Sequence, residues 1–192
     1  MAGLALGLLL AMHESLDMAG LGKPGPRLWR RGISAGLLLW LLAMVLGNFV
    51  ALAYKVLAQA FHLQAELARL TTVDRRTDIS KVISATHAPA QFWAVVLIGT
   101  FLVPVAEELL FRGLIYRVVA RYRNETWAVA VSSLVFAVAH GGPIRFVTLL
   151  VLGTVLGITR RKTGSVWQGM IMHMTLNGIM FLAMYAAQNL LK

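Results

Sequence analysis

The sequence predicts an all-α, polytopic integral membrane bundle, and three observations predict it. Hydrophobic residues make up 58% of the 192 residues and charged residues 14%, against roughly 45–50% and about 25% in an ordinary soluble domain. Mean hydropathy is +0.72. The apolar residues gather into charge-free runs of membrane-crossing length, and the 18 Lys and Arg, which outweigh 8 Asp and Glu to give a net charge of +10, lie between those runs. This composition excludes a soluble globular enzyme. It also argues against a nucleic-acid partner, which needs a basic patch on a soluble fold. The chain has no cysteine, so disulfides, thiolate metal sites and a cysteine nucleophile are excluded.

Taken in order, the elements are about five transmembrane helices, with a shorter N-terminal run before them. Residues Met1 to Met12 are apolar, but a span needs roughly 20 residues, and His13, Glu14 and Asp17 follow at once. Lys23, Arg27, Arg30 and Arg31 come after this run rather than before it, which is the wrong order for a secretory signal. Ile33 to Tyr54 is charge-free and long enough to cross. Val56, Ala60, Leu63, Leu67 and Leu70 then recur at helical spacing among Lys55, Gln59, Glu66 and Arg69, the pattern of an interfacial amphipathic helix. Residues 71–84 form a polar connector.

Pro89 to Ala106 is again free of charge. Glu107, Glu108 and Arg112 interrupt an apolar pattern that continues to Ala120. A helix over that distance is about 45 Å long, more than the roughly 30 Å hydrocarbon core, so it must tilt, kink or project; Pro104 can supply a kink. Trp127 to His140 follows, stopped by Gly141-Gly142-Pro143; then Ile144 to Thr159, closed by Arg160-Arg161-Lys162; then Val166 to Leu191. The organisation is thus an N-terminal membrane segment (1–88), a four-helix core (89–187) and a short tail (188–192). Positive residues flank alternate ends of the spans: Arg27, Arg30 and Arg31; Arg117, Arg121 and Arg123; Arg160, Arg161 and Lys162. By the positive-inside rule these face the cytoplasm, with Trp29, Trp127 and Trp167 at that border and Trp93 near the other.

Ionisable residues within spans cost about 2.5–3.5 kcal/mol each at the centre on insertion scales, so each is a functional hypothesis. There are five, Glu107, Glu108, Arg112, His140 and His173, and the polar Asn177 joins them. On a helix Glu108 and Arg112 are i,i+4 and can pair, leaving Glu107 about 100° round the axis without that partner. His173 and Asn177 share a face by the same spacing, as do Phe136 and His140. Counted from the cytoplasmic markers at 1.5 Å per residue, Glu107, His140 and His173 lie at depths of roughly 15, 20 and 12 Å. Three helices therefore bring polar groups to one level. A lone histidine in a membrane is often a packing residue and a lone Glu-Arg pair a structural salt bridge; it is the conjunction in three spans that points to chemistry. His13, His62 and His87 lie in or near polar segments and read as solvated.

The runs Glu107-Glu108-Leu109-Leu110-Phe111-Arg112-Gly113, Phe136-Ala137-Val138-Ala139-His140 and His173-Met174-Thr175-Leu176-Asn177 resemble, in order and spacing, the three motifs of the CPBP intramembrane protease family, also known as the Abi or CAAX-protease and bacteriocin-processing family. The similar region runs from about Pro89 to Ala187. The resemblance implies a membrane-embedded peptidase in which Glu107 is the general base for water, His140 helps to hold that water, and His173 and Asn177 stabilise the oxyanion. Glu108 with Arg112 would be the supporting salt bridge. Peptide hydrolysis does need a base for water and donors for a tetrahedral oxyanion.

The family was long described as metal-dependent, and a zinc ion would use Glu107, His140 and His173. The sequence lacks a helical His-Glu-x-x-His element, so no metal or other cofactor is expected and the metal-free glutamic mechanism is favoured. The expected partners are the lipid bilayer and a peptide or protein substrate within it. The short basic turns and compact size suggest a bacterial plasma membrane, where leader-peptide or bacteriocin processing is a more sensible expectation than cleavage of prenylated proteins. Two other classes compete: a non-catalytic immunity or scaffold protein, and a small transporter using the buried carboxylates as a relay. The scaffold does not need all these polar groups together, and the transporter predicts pH-dependent flux without proteolysis. Nothing in the sequence sets an oligomeric state.

Overall fold

The computed structural model describes residues 27–76 and 89–190, together with Leu21 and Gly25. The expectations for Met1–Met12, His13 and His87 lie outside the described residues. Those residues form six helices: α1 (Arg27–Ala60), α2 (Gln64–Arg76), α3 (the continuous run from Pro89 to Tyr122), α4 (Glu125–Ala139), α5 (Phe146–Thr163) and α6 (Trp167–Leu190). No strand occurs among them.

Three of these helices are long and apolar enough to cross a membrane: Arg27–Ala60, Ala90–Tyr122 and Trp167–Ala187. The other two anticipated spans are shorter or more polar. α4 has 15 residues, about 22 Å at 1.5 Å per residue, and α5 has 18 residues with Arg160, Arg161 and Lys162 in its last turn. The apolar faces of the long helices point outward. Leu38, Val45, Phe49 and Leu52 on α1 and Leu97, Phe101 and Leu102 on α3 are half or more exposed, a surface that lipid covers and water does not tolerate.

Two boundaries differ from the sequence expectation. The first span does not stop at Lys55 but runs on to Ala60, and the amphipathic stretch is cut at Phe61–Leu63, where His62 adopts φ +56. A left-handed residue cannot continue a right-handed helix. The connector is also helical as far as Arg76. Elsewhere the stop signals act as the residues dictate. α4 opens on Asn124, whose side chain accepts the Trp127 N–H at 3.0 Å, and ends before Gly141 at φ +64. α5 ends at Gly164, also at φ +64. Glycine adopts this conformation without the steric cost that a Cβ brings.

Close packing comes from small residues at four-residue spacing, which let helix backbones approach in lipid. Gly32 and Gly36 of α1 face α6: a Cβ at Gly32 would lie 2.5 Å from Ile171 Cγ2, and one at Gly36 2.8 Å from the Met172 carbonyl. Gly153 and Gly157 of α5 do the same against Ser133, Phe136 and Val129 of α4. Leu39, Leu152, Leu156, Met172 and Leu176 close the apolar core between α1, α5 and α6, and α3 lies against α4 and α6 beside it.

Candidate active site

The site is built on α3, which is not a uniform α-helix. It contains two π-helical turns, Ile98–Leu102 and Leu109–Ile115, on either side of Pro104 and the glutamates. π-turns are rare and recur at functional sites. The second begins at the residue after Glu108 and contains Arg112.

Glu108 and Arg112 form the inner layer. Arg112 Nη1 donates to Glu108 Oε1 at 2.9 Å, and both side chains are completely buried. Arg112 Nη2 donates to the Gly153 carbonyl of α5 at 3.0 Å, and its guanidinium stacks over the Phe136 ring of α4 at 4.7 Å. One cation thus ties α3 to both neighbours. Glu108 Oε2 faces Gly169, where a Cβ would lie 2.8 Å away, so α6 meets the carboxylate with no side chain at that point. Oε2 of Glu108 and Nε of Arg112 have no hydrogen-bond partner among the described residues.

Glu107 and the two histidines form the outer layer. His140, at the C-terminus of α4, has Nδ1 at 2.7 Å from the Phe136 carbonyl. A carbonyl only accepts, so Nδ1 carries the proton. His173 of α6 has Nδ1 at 3.3 Å from Glu108 Oε1, where it donates to the paired carboxylate. With both Nδ1 atoms committed, both Nε2 atoms turn to Glu107: His140 Nε2 lies 3.6 Å from Oε1 and His173 Nε2 3.6 Å from Oε2. The Phe136 ring packs against both imidazoles, with centroids at 4.4 Å and 6.0 Å. Exposure rises outward, from 0% for the Glu108–Arg112 pair to 12% for Glu107 and 29% for His140.

Five of the six anticipated residues are therefore brought together, from three helices. Asn177 has a different contact: its Nδ2 donates to the Gly99 carbonyl at 3.0 Å. The reason lies in the first π-turn. The Val103 N–H bonds to Ile98 rather than Gly99, and Pro104, the next residue, has no N–H to offer. The Asn177 amide supplies the missing donor.

Several contributors were not visible in the sequence. Arg160, read with Arg161 and Lys162 as a charge facing the cytoplasm, is buried; its Nε donates to the Arg112 carbonyl at 3.3 Å and its guanidinium stacks on Tyr116. Gly153 and Gly169 matter only because helix neighbours approach them. Asp74 of α2 bonds to Ile144 and Arg145 in the turn after His140; the one signal was that Arg145 is the lone basic residue of that turn. Among the described residues no group of three or more His, Asp and Glu is arranged to hold a metal ion.

Residues 89–179 match the family model described as Rce1-like, type II CAAX prenyl endopeptidase Rce1-like. No curated protein and no solved structure matches the chain. The matched segment holds all three motifs and every residue of the two polar layers, and over that segment the chain is similar to the CPBP, or CAAX-protease, family of intramembrane peptidases.

Proposed function

We propose that this protein is an intramembrane endopeptidase that hydrolyses a peptide bond of a membrane-associated protein or peptide by a metal-free glutamic mechanism. The observation that carries this reading is the convergence of two histidine Nε2 atoms on the two oxygens of Glu107, each at 3.6 Å. That separation is too long for a direct hydrogen bond and suits groups that share a water molecule. Such a water, held by His140 Nε2, gives a proton to Glu107 as its oxygen attacks the scissile carbonyl. The C–O bond forms, negative charge passes from the carboxylate to the carbonyl oxygen, and the net charge of the site stays constant. The oxyanion is served by the second Nδ2 hydrogen of Asn177 and by His173 Nε2, which donates when the ring carries a proton on both nitrogens. Glu107 then returns the proton to the leaving nitrogen as the C–N bond breaks.

The inner layer supports this chemistry. Glu108 holds His173 by Nδ1, and Arg112 balances Glu108, so the catalytic carboxylate is not forced to neutralise the cation. The substrates we favour are leader or bacteriocin-type peptides in a bacterial plasma membrane, with the chain crossing it several times. The test compares peptides released from membranes of cells expressing the native chain or E107Q at matched levels. Loss of a general base costs about 10²–10⁴-fold. We expect a discrete set of peptides with the native chain only, and zinc absent from the purified active protein. Identical peptides from both would defeat the assignment of Glu107, and stoichiometric zinc would defeat the metal-free mechanism.

A further inference from the structure

We infer that Asp74 is a positioning residue for His140, an inference that rests on the peptidase reading above. α2 is a mostly exposed helix whose last turn turns one acidic side chain inward. Asp74 is fixed there by three contacts to a turn some 70 residues further along the chain. Its Oδ1 accepts the Ile144 N–H at 3.1 Å, its Oδ2 accepts Arg145 Nε at 2.9 Å, and its backbone carbonyl accepts Arg145 Nη2 at 3.1 Å. Gly142 lies against the same carboxylate so closely that a Cβ there would stand 2.6 Å from Oδ1.

The turn held in this way is the one that begins at His140. The ring of His140 is fixed from the N-terminal side by the Phe136 carbonyl and ring. On the C-terminal side the backbone departs through Gly141 at φ +64 and Gly142, two residues that restrain direction weakly. Asp74 supplies the restraint these glycines do not, by capturing the Ile144 N–H and the Arg145 side chain just past Pro143. Its effect on the reaction passes through the His140–Glu107 separation, and a shift of about 1 Å in a reacting group can cost on the order of 10²-fold. α2 thereby becomes part of the catalytic unit although it lies outside the matched segment.

The experiment uses the full chain in membranes, with D74A, D74N and E107Q beside the native protein. Turnover is measured on a synthetic peptide spanning the most abundant cleavage site released by the native chain, and amide exchange is followed over residues 138–147. D74A should lower kcat about tenfold to a hundredfold with little change in KM, and should accelerate exchange at Ile144. D74N retains the Oδ1 acceptor and should keep most of the activity, which also serves if D74A folds poorly. Native kcat in D74A, or an equal loss in D74N with unchanged exchange at Ile144, would overturn the inference. The two readings fail separately: E107Q matching the native chain removes the catalytic assignment beneath both, whereas an inactive E107Q beside a fully active D74A removes only the role of Asp74.

Discussion

The apolar spans of α1 and α3 are nearly the same length, 34 and 33 residues, and both are apolar enough to cross a membrane. They join the bundle by opposite means. α1 buries 17% of its most apolar 18-residue window and α3 33%. α1 docks by having nothing in the way, since Gly32 and Gly36 let α6 approach. α3 docks by carrying groups that lipid cannot satisfy: Glu107, Glu108 and Arg112 must find partners on α4, α5 and α6. In lipid an apolar side chain gains little by choosing protein over acyl chain, so specific association falls to small residues and to polar ones. The two kinds of contact should break in different ways, because losing a glycine notch adds atoms whereas losing an ionic partner strands a charge.

The largest effect on stability should come from stranding that charge. R112A leaves Glu108 buried without its cation and unties α3 from Gly153 and Phe136; removing one member of a buried pair costs about 3–5 kcal/mol. Folded yield and thermal unfolding in detergent report it. E108L/R112L removes both charges and should fold better than R112A, yet it should remain inactive because His173 loses its Nδ1 acceptor. Equal folded yield for the two variants would show that the pair does not hold the helix.

The sequence made α3 legible because its chemistry is local. Glu108 and Arg112 pair at i,i+4 in the structure as helical spacing requires, and buried charge in an apolar run is conspicuous. What α1 does, and what surrounds the site, was much less legible. The Asp74–Arg145 and Arg112–Gly153 contacts join residues far apart in the chain, and neither partner's type foretells the other. His62 breaks a helix through its backbone conformation, which no apolar period records. The count of five spans rested on hydropathy alone, whereas helix length separates three helices long and apolar enough to cross from the shorter α4 and the basic-ended α5.

Asn177 shows the limit most clearly, since its place in a motif suggested chemistry and the structure gives it a backbone carbonyl as well. N177A leaves the half-buried Gly99 carbonyl beside Pro104 without a donor, and loss of such a hydrogen bond costs about 0.5–1.5 kcal/mol. A comparable loss of stability should appear in N177D, which cannot donate. If N177A unfolds at the native temperature but turns over slowly, its contribution lies in the reaction alone.

The finest test stays within α1. G36A places a methyl group 2.6 Å from Thr175 Cβ and 2.8 Å from the Met172 carbonyl; with backbone on one side the contact cannot relax by a rotamer change, and overpacking of this kind costs about 1–3 kcal/mol. G47A lies on the same helix, where the nearest atom to a new Cβ is Thr148 Oγ1 at 4.0 Å, and should change stability by no more than about 0.5 kcal/mol. Both substitutions remove a glycine from a membrane helix, so any general gain in helix propensity is common to them. The difference in their unfolding temperatures therefore isolates the close approach of α1 to α6, and a G36A protein as stable as G47A would mean that α1 is held by something other than its glycine notch.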